Sequence, residues 1–231
     1  MTSLSKNARL AGLLYILASV VGVVRLLYIP NTLFVGGNAA ATASNLVAHE
    51  SLFRFGIVSQ LVASALWLFV PLALYRLLNG VDQTLAVLMV ILGSLMQVPI
   101  FFLNVANDVA ALLFARGTDF LSVFDKPQRD AFARLFLNLH HQVDLANMMF
   151  AGLWLFPFGL LVYKSRFLPR LLGVWLMIAC FAWLAFCFSG LLLPGSEDKV
   201  YTAIQPFVLG EVAIMLWLVI MGTKEKRPAA T

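Results

Sequence analysis

Long apolar runs separated by short polar breaks set the pattern of this chain. Six runs, at about 9–29, 54–78, 84–114, 139–163, 168–192 and 204–222, approach or exceed the roughly 20 residues a helix needs to cross a bilayer. The breaks carry turn chemistry. Pro30-Asn31 and Gly36-Gly37 follow the first run, Asn79-Gly80 follows the second, and Lys126-Pro127 precedes the fourth. Ser165 to Pro169 parts the fourth from the fifth, and Pro194-Gly195 ends the fifth. No alternation of period two recurs, which argues against a membrane β-barrel. The pattern predicts an all-α, polytopic integral membrane bundle of six transmembrane helices, folded as a single transmembrane domain over residues 1–231.

Two of the breaks are long enough for structure of their own. Residues 38–53 read as a short amphipathic helix, with Asn38 as its N-cap and Leu46, Val47 and Leu52 on its apolar side. Residues 127–138 repeat the theme: Pro127 stands at a helix start, followed by Phe132, Leu135, Phe136 and Leu139 at helical spacing. Both are expected to lie as interfacial helices at the outer membrane surface. Lys6 and Arg9 ahead of residues 10–24 look like the start of a signal peptide. The apolar run continues past Arg25 to Ile29 without a small-x-small cleavage site, so it is read as a retained span.

Composition fits this class. The chain is 61% hydrophobic and 12% charged, with a mean hydropathy of +0.91, whereas a soluble domain averages about 45–50% and about 25%. So few polar residues cannot cover a water-soluble globule, and disorder needs the opposite balance. The net charge of +5 does not point to nucleic acid, because the basic residues are dispersed among the runs and form no face that tracks phosphates. They set topology instead. Lys6 and Arg9, the cluster Lys164/Arg166/Arg170 and the cluster Lys224/Lys226/Arg227 fall on one side. Glu50, Asp119, Asp125, Asp130, Glu197 and Asp198 gather on the other. The positive-inside rule then predicts both termini in the cytoplasm. Cys180 and Cys187 share one helix face about 10 Å apart, beyond disulfide reach, and read as small packing residues.

Several short motifs occur in a fixed order. Ala8-Arg9-Leu10-Ala11-Gly12-Leu13-Leu14-Tyr15 opens the first run. Ala40-Ala41-Thr42-Ala43-Ser44-Asn45 and His49-Glu50-Ser51-Leu52-Phe53-Arg54 lead into the second, which closes on Leu72-Ala73-Leu74-Tyr75. Tyr163-Lys164-Ser165 with Leu168-Pro169-Arg170-Leu171-Leu172-Gly173 forms the fourth break, and Gly210-Glu211 lies in the last run. Together these resemble the bacterial membrane-protein family named domain of unknown function 4386 (DUF4386), over almost the whole chain. The resemblance implies six helices, one domain and a bacterial plasma membrane location. It brings no substrate, cofactor or catalytic residue. Leu139-His140 matches a Leu-His pair of that family, while His141 departs from the glycine often found next.

Ionisable groups inside hydrocarbon cost about 2.5–3.5 kcal/mol even on the lenient insertion scale and usually face a bundle interior. The candidates are Arg25, Asp108, Asp144 and Glu211, with Gln60, Gln97, Asn104, Asn107, His140 and Asn147 nearby. At about 100° per residue, Gln97, Asn104 and Asp108 share one stripe of the third span, and His140, Asp144 and Asn147 share one on the fourth. Given the predicted topology most of them fall in the outer half of the membrane, with Glu211 about seven residues into the sixth span. Arg25 is placed to pair with Asp108, Asp144 or Glu211.

Three readings follow. In the first, these residues are closed ion pairs and amide bonds that fix helix register, each worth only about 0.6 kcal/mol. In the second, which carries the functional prediction although the first has more weight as a reading of the cluster, they form an outward-facing binding pocket in which the acids attract a cation or amine, or carry protons. The ligand would be a small solute, an ion or a lipid headgroup. In the third, Asp108, His140, Asp144 and Glu211 hold a metal for an intramembrane hydrolase. Against the third stand the absence of His-Glu-x-x-His and Gly-x-Ser-x-Gly patterns. The sequence therefore leans away from an enzyme, and no cofactor is expected. Pro71, Pro99, Pro157 and Pro206 offer helix interruptions of the kind transporters use, yet no inverted repeat is visible. Passage through six helices would then call for a homo-oligomer. Ala18-x-x-x-Gly22, Gly152 and Gly159 read as packing notches, and the aromatics dense in the fifth span as lipid contact and packing.

Overall fold

Every predicted run is helical in the computed structural model, which describes residues 3–193 and 195–223. The order is α1 (Ser3–Val23), a wide π turn (Val24–Tyr28), α2 (Ile29–Leu33), α3 (Ala39–Ala48) and α4 (Glu50–Leu78). Then come α5 (Gln83–Val90), a second π turn (Ile91–Leu95), α6 (Gln97–Arg116) and a single 3₁₀ turn (Asp119–Leu121). The chain continues through α7 (Lys126–Leu153), α8 (Leu155–Ser165), α9 (Arg170–Leu192) and α10 (Glu197–Ile220). The fold is all-helical, a polytopic bundle with six helical stretches long and apolar enough to cross a membrane. Leu13, Val20, Phe55, Phe69, Phe181 and Phe188 are exposed along them, as side chains facing hydrocarbon would be. The expected turn at Pro194 and the charges Lys224, Glu225, Lys226 and Arg227 lie outside the described residues.

Local chemistry explains most boundaries. Asn38 caps α3 as predicted, its Oδ1 accepting from the Ala41 amide at 2.9 Å, but α3 ends at Ala48, and Leu52 belongs to α4 and not to the short helix expected over 38–53. Residues 127–138, by contrast, are not a separate interfacial helix. They are the first part of one helical stretch from Lys126 to Ser165. A reciprocal capping box starts it: the Gln128 amide donates to Asp125 Oδ1 at 2.8 Å, and the Asp125 amide donates to Gln128 Oε1 at 3.0 Å. No glycine or proline then interrupts the chain until Gly152. The sixth span likewise begins early, at Glu197, so Glu211 lies just past the middle of α10 and not near one end.

The prolines behave in two ways. Pro71 and Pro206 sit inside unbroken helices. Pro99 and Pro157 each stand just after an interruption, at the start of α6 and of α8, where a missing N–H is harmless. Asp82 caps α5 through the Leu85 amide at 3.2 Å and accepts from Lys164 Nζ at 3.0 Å. The hydrogen bond from Lys164 holds its carboxyl below the usual aspartate range, so this contact is kept above that range and fades in acid.

Contacts divide the chain into two units. The first holds the described parts of 1–17, 66–97 and 145–231. It is stitched by glycines: a Cβ at Gly159 would stand 2.6 Å from the Gly173 carbonyl oxygen, and one at Gly173 2.6 Å from that of Gly159. The backbones of α8 and α9 therefore touch with no side chain between them, the notch role expected of Gly159. Trp67 packs edge to face on Tyr15 and Trp154, which are tilted against each other, with centroids 5.4–5.7 Å apart, and Trp154 stacks on Phe158. The second unit holds 18–65 and 98–144. Its core joins Ile29, Leu33, Leu46, Phe53, Ile57, Ala111, Leu112 and Leu137, beside stacked Phe114, Phe132 and Phe136. In this unit α3 is tied back to the first span by Asn45 Nδ2, which donates to the Leu33 carbonyl at 3.0 Å.

Candidate functional site

In the second unit, Arg25 is carried by the π turn of the first span. A π turn holds one residue more than an α turn. The Arg25 side chain is buried and forks onto Asp108 of α6: Nε donates to Oδ2 at 2.6 Å and Nη2 to Oδ1 at 2.5 Å. The guanidinium also lies 5.6 Å from the Phe34 ring centroid and 5.9 Å from that of Phe53, within cation–π range. Of the partners foreseen for Arg25, the structure selects Asp108.

His140 of α7 continues the chain. Its Nδ1 lies 2.9 Å from Asp108 Oδ1 and its Nε2 3.1 Å from Asp144 Oδ2. Asp144 also accepts from Asn104 Nδ2 at 2.5 Å, and Asn107 Nδ2 donates to Asn104 Oδ1 at 3.3 Å. Exposure is graded along this series. The Asp108 side chain is 0% exposed and that of His140 6%, whereas that of Asp144 is 20% exposed. Arg25, Asn104, Asp108, His140 and Asp144 are thus brought into one hydrogen-bonded series drawn from three spans. Asn107 was among the polar candidates, whereas the rings of Phe34 and Phe53 beside Arg25 were not foreseen.

Gln97, Asn147 and Glu211 belong to the first unit. Gln97 serves its own helix: Nε2 donates at 3.2 Å to the Leu92 carbonyl of the second π turn. Trp67 Nε1 satisfies the Gly93 carbonyl of the same turn at 2.8 Å. Asn147 is buried with its Oδ1 lacking a protein hydrogen-bond partner.

Glu211 of α10 is held differently from what the sequence led us to expect. Its Oε2 accepts from the Tyr15 hydroxyl at 2.5 Å and its Oε1 from Trp183 Nε1 at 2.7 Å. Both donors are neutral. Three spans converge here, with α1 supplying Tyr15 and α9 supplying Trp183. Phe186 and Tyr201 extend the aromatic surface from Trp183, while Trp67 and Trp154 extend it from Tyr15. Neither hydrogen-bonding aromatic was foreseen. The available signal was a Tyr and a Trp inside spans, since such rings seek a partner for their polar atom when buried.

Among the described residues, no three His, Cys, Asp or Glu side chains are grouped to hold a metal ion. The predicted ligand set Asp108, His140, Asp144 and Glu211 therefore gains no support among the described residues. Both ring nitrogens of His140 are turned onto carboxylates, the Asp108 carboxylate is filled by Arg25, and Glu211 is engaged by Tyr15 and Trp183. Cys180 and Cys187 are free and buried.

No curated protein and no solved structure matches the chain. A family model described as a domain of unknown function, DUF4386, matches residues 10–222, nearly the whole length and all six spans. By that match, and by the order of its motifs, the chain belongs to the DUF4386 family.

Proposed function

We propose that this protein binds and passes a small cationic organic solute, an amine in its ammonium form, at Glu211. The observation that supports the reading is a carboxylate near the middle of a membrane-spanning helix whose hydrogen-bond partners, Tyr15 and Trp183, bring no positive charge. A carboxylate in such surroundings calls for a cation or a proton. Each oxygen uses one lone pair on its neutral donor and keeps another for a ligand N–H. The adjoining aromatic faces suit the hydrocarbon body and charge of an ammonium ion. A hard inorganic cation such as Ca²⁺ would want about 6–8 oxygen ligands, and this set offers a carboxylate and one hydroxyl.

The test is a titration of the purified full-length protein in lipid nanodiscs with alkylammonium salts, sodium and potassium, read by tryptophan fluorescence. Alkylammonium ions should bind and Glu211→Gln should weaken binding about tenfold or more, as expected for loss of a charge-assisted contact. Binding that is indifferent to Glu211→Gln, or no binding, would overturn the reading. The Arg25 series supports a second, structural role for that part of the chain, because each of its carboxylates already has a protein partner.

We place the protein in a bacterial plasma membrane with both termini cytoplasmic, surrounded by lipid, on the strength of the basic clusters and the family. Cysteines introduced at Asp125 and Lys199 should then react with a membrane-impermeant reagent added to intact cells. Labelling only after lysis would reverse the orientation.

A further inference from the structure

The donors and acceptors around His140 balance, with both aspartates as carboxylates, when the ring carries a proton on each nitrogen. Nδ1 meets two acceptors, Asp108 Oδ1 at 2.9 Å and the Asn104 carbonyl at 3.3 Å, against one donor, Arg25 Nη2 at 3.2 Å. Nε2 meets Asp144 Oδ2 at 3.1 Å. A bare nitrogen on either side would set a lone pair against a carboxylate oxygen. Charge gives the same answer. Arg25, Asp108 and Asp144 sum to one negative charge, which an imidazolium cancels inside the membrane-spanning segments. The charged groups facing the ring come from three elements: Arg25 from the first span, Asp108 from α6 and Asp144 from α7 itself.

We infer that Arg25, Asp108, His140 and Asp144 form a proton-binding site that holds one exchangeable proton on His140 and exchanges it through Asp144. Asp108 is closed off by its two bonds from Arg25, so it serves as a fixed counter-charge. Asp144 is the most exposed member of the series. In the exchange step the Nε2 proton passes to Asp144 Oδ2, leaving a neutral imidazole and a carboxylic acid. The acid then gives that proton to water and returns to carboxylate. One N–H bond is broken and one proton is released, with no change of oxidation state. This site is independent of the proposed solute site at Glu211, in both its residues and its ligand.

The test is nitrogen-15 NMR of the full-length protein, labelled at histidine and reconstituted in bilayers at neutral pH. His49→Gln and His141→Gln variants assign the His140 signals. Two protonated ring nitrogens are expected. A bare Nδ1, accepting from Arg25, would overturn the proposal, and this measurement needs no change at the site itself. In Asp144→Asn the remaining charges already balance, so His140 should show one protonated and one bare nitrogen, and solvent exchange of its proton should slow. A ring that stays doubly protonated with unchanged exchange would show that Asp144 has no part in the site. Loss of amine binding in Glu211→Gln leaves these signals unmoved, so the two proposals fail separately.

Discussion

Arg25→Ala is expected to cost about 3–5 kcal/mol of stability, because it strands the buried carboxylate of Asp108 without its counter-charge. Asp108→Ala should cost a similar amount by stranding the guanidinium. The forked geometry makes the pair specific: Arg25→Lys keeps the charge but offers a single ammonium to two carboxylate oxygens, so it should recover only part of the loss. Arg25→Leu with Asp108→Leu should come closer to wild type than either single change, since it removes both charges of the buried pair together. Denaturation of detergent-solubilised protein, followed by circular dichroism, checks the series. If the double variant is no better than the singles, the pair is not what holds these two spans together.

Gly173→Ala should be almost as damaging for a different reason. Its new Cβ would meet the Gly159 carbonyl at 2.6 Å and the Tyr163 amide nitrogen at 2.8 Å. Both are backbone atoms, so no rotamer change makes room and α8 and α9 must move apart. Overpacking of this kind costs about 1–3 kcal/mol, and here it also forfeits the close backbone approach that drives helix association without a hydrophobic force. Gly159→Ala should behave the same way. Gly80→Ala is the control: nothing lies within 4 Å of its added Cβ, and its effect should stay within about 0.5 kcal/mol. The same denaturation assay compares all three.

The six spans were legible because a bilayer demands about 20 apolar residues in a row, a demand that composition alone reports. The Asn38 cap was legible because its chemistry is local. The separate helix at 127–138 was misjudged for an equally local reason. Pro127 and the apolar spacing of Phe132, Leu135, Phe136 and Leu139 looked like a short interfacial helix, while the Asp125–Gln128 box and the lack of any breaker before Gly152 meant one continuous helix. The π turns left no mark, since Val24–Tyr28 and Ile91–Leu95 have the residues of ordinary apolar helix. Spacing put Asp108 and His140 on facing stripes, and the structure links them. It could not show that Gln97 would be used by its own helix. Glu211 was one of three acids offered as a partner for Arg25. Its partners Tyr15 and Trp183 were hidden because an aromatic residue in a span reads as apolar surface, and its hydroxyl or N–H acts only once a neighbouring helix supplies an acceptor.

The π turn at Arg25 makes the first span sensitive to residue number as well as residue identity. Leu26 and Leu27 are exposed and apolar, so exchanging either for another aliphatic side chain alters little. Removing one of them would keep the span apolar, helical and long enough for the bilayer. It would also rewind the wide turn to an ordinary one. Because a π turn is one inserted residue, the helix on either side then stays nearly in phase, and the change falls on the backbone that presents Arg25. A deletion at these positions therefore reaches the charge, whereas an aliphatic exchange at the same positions does not.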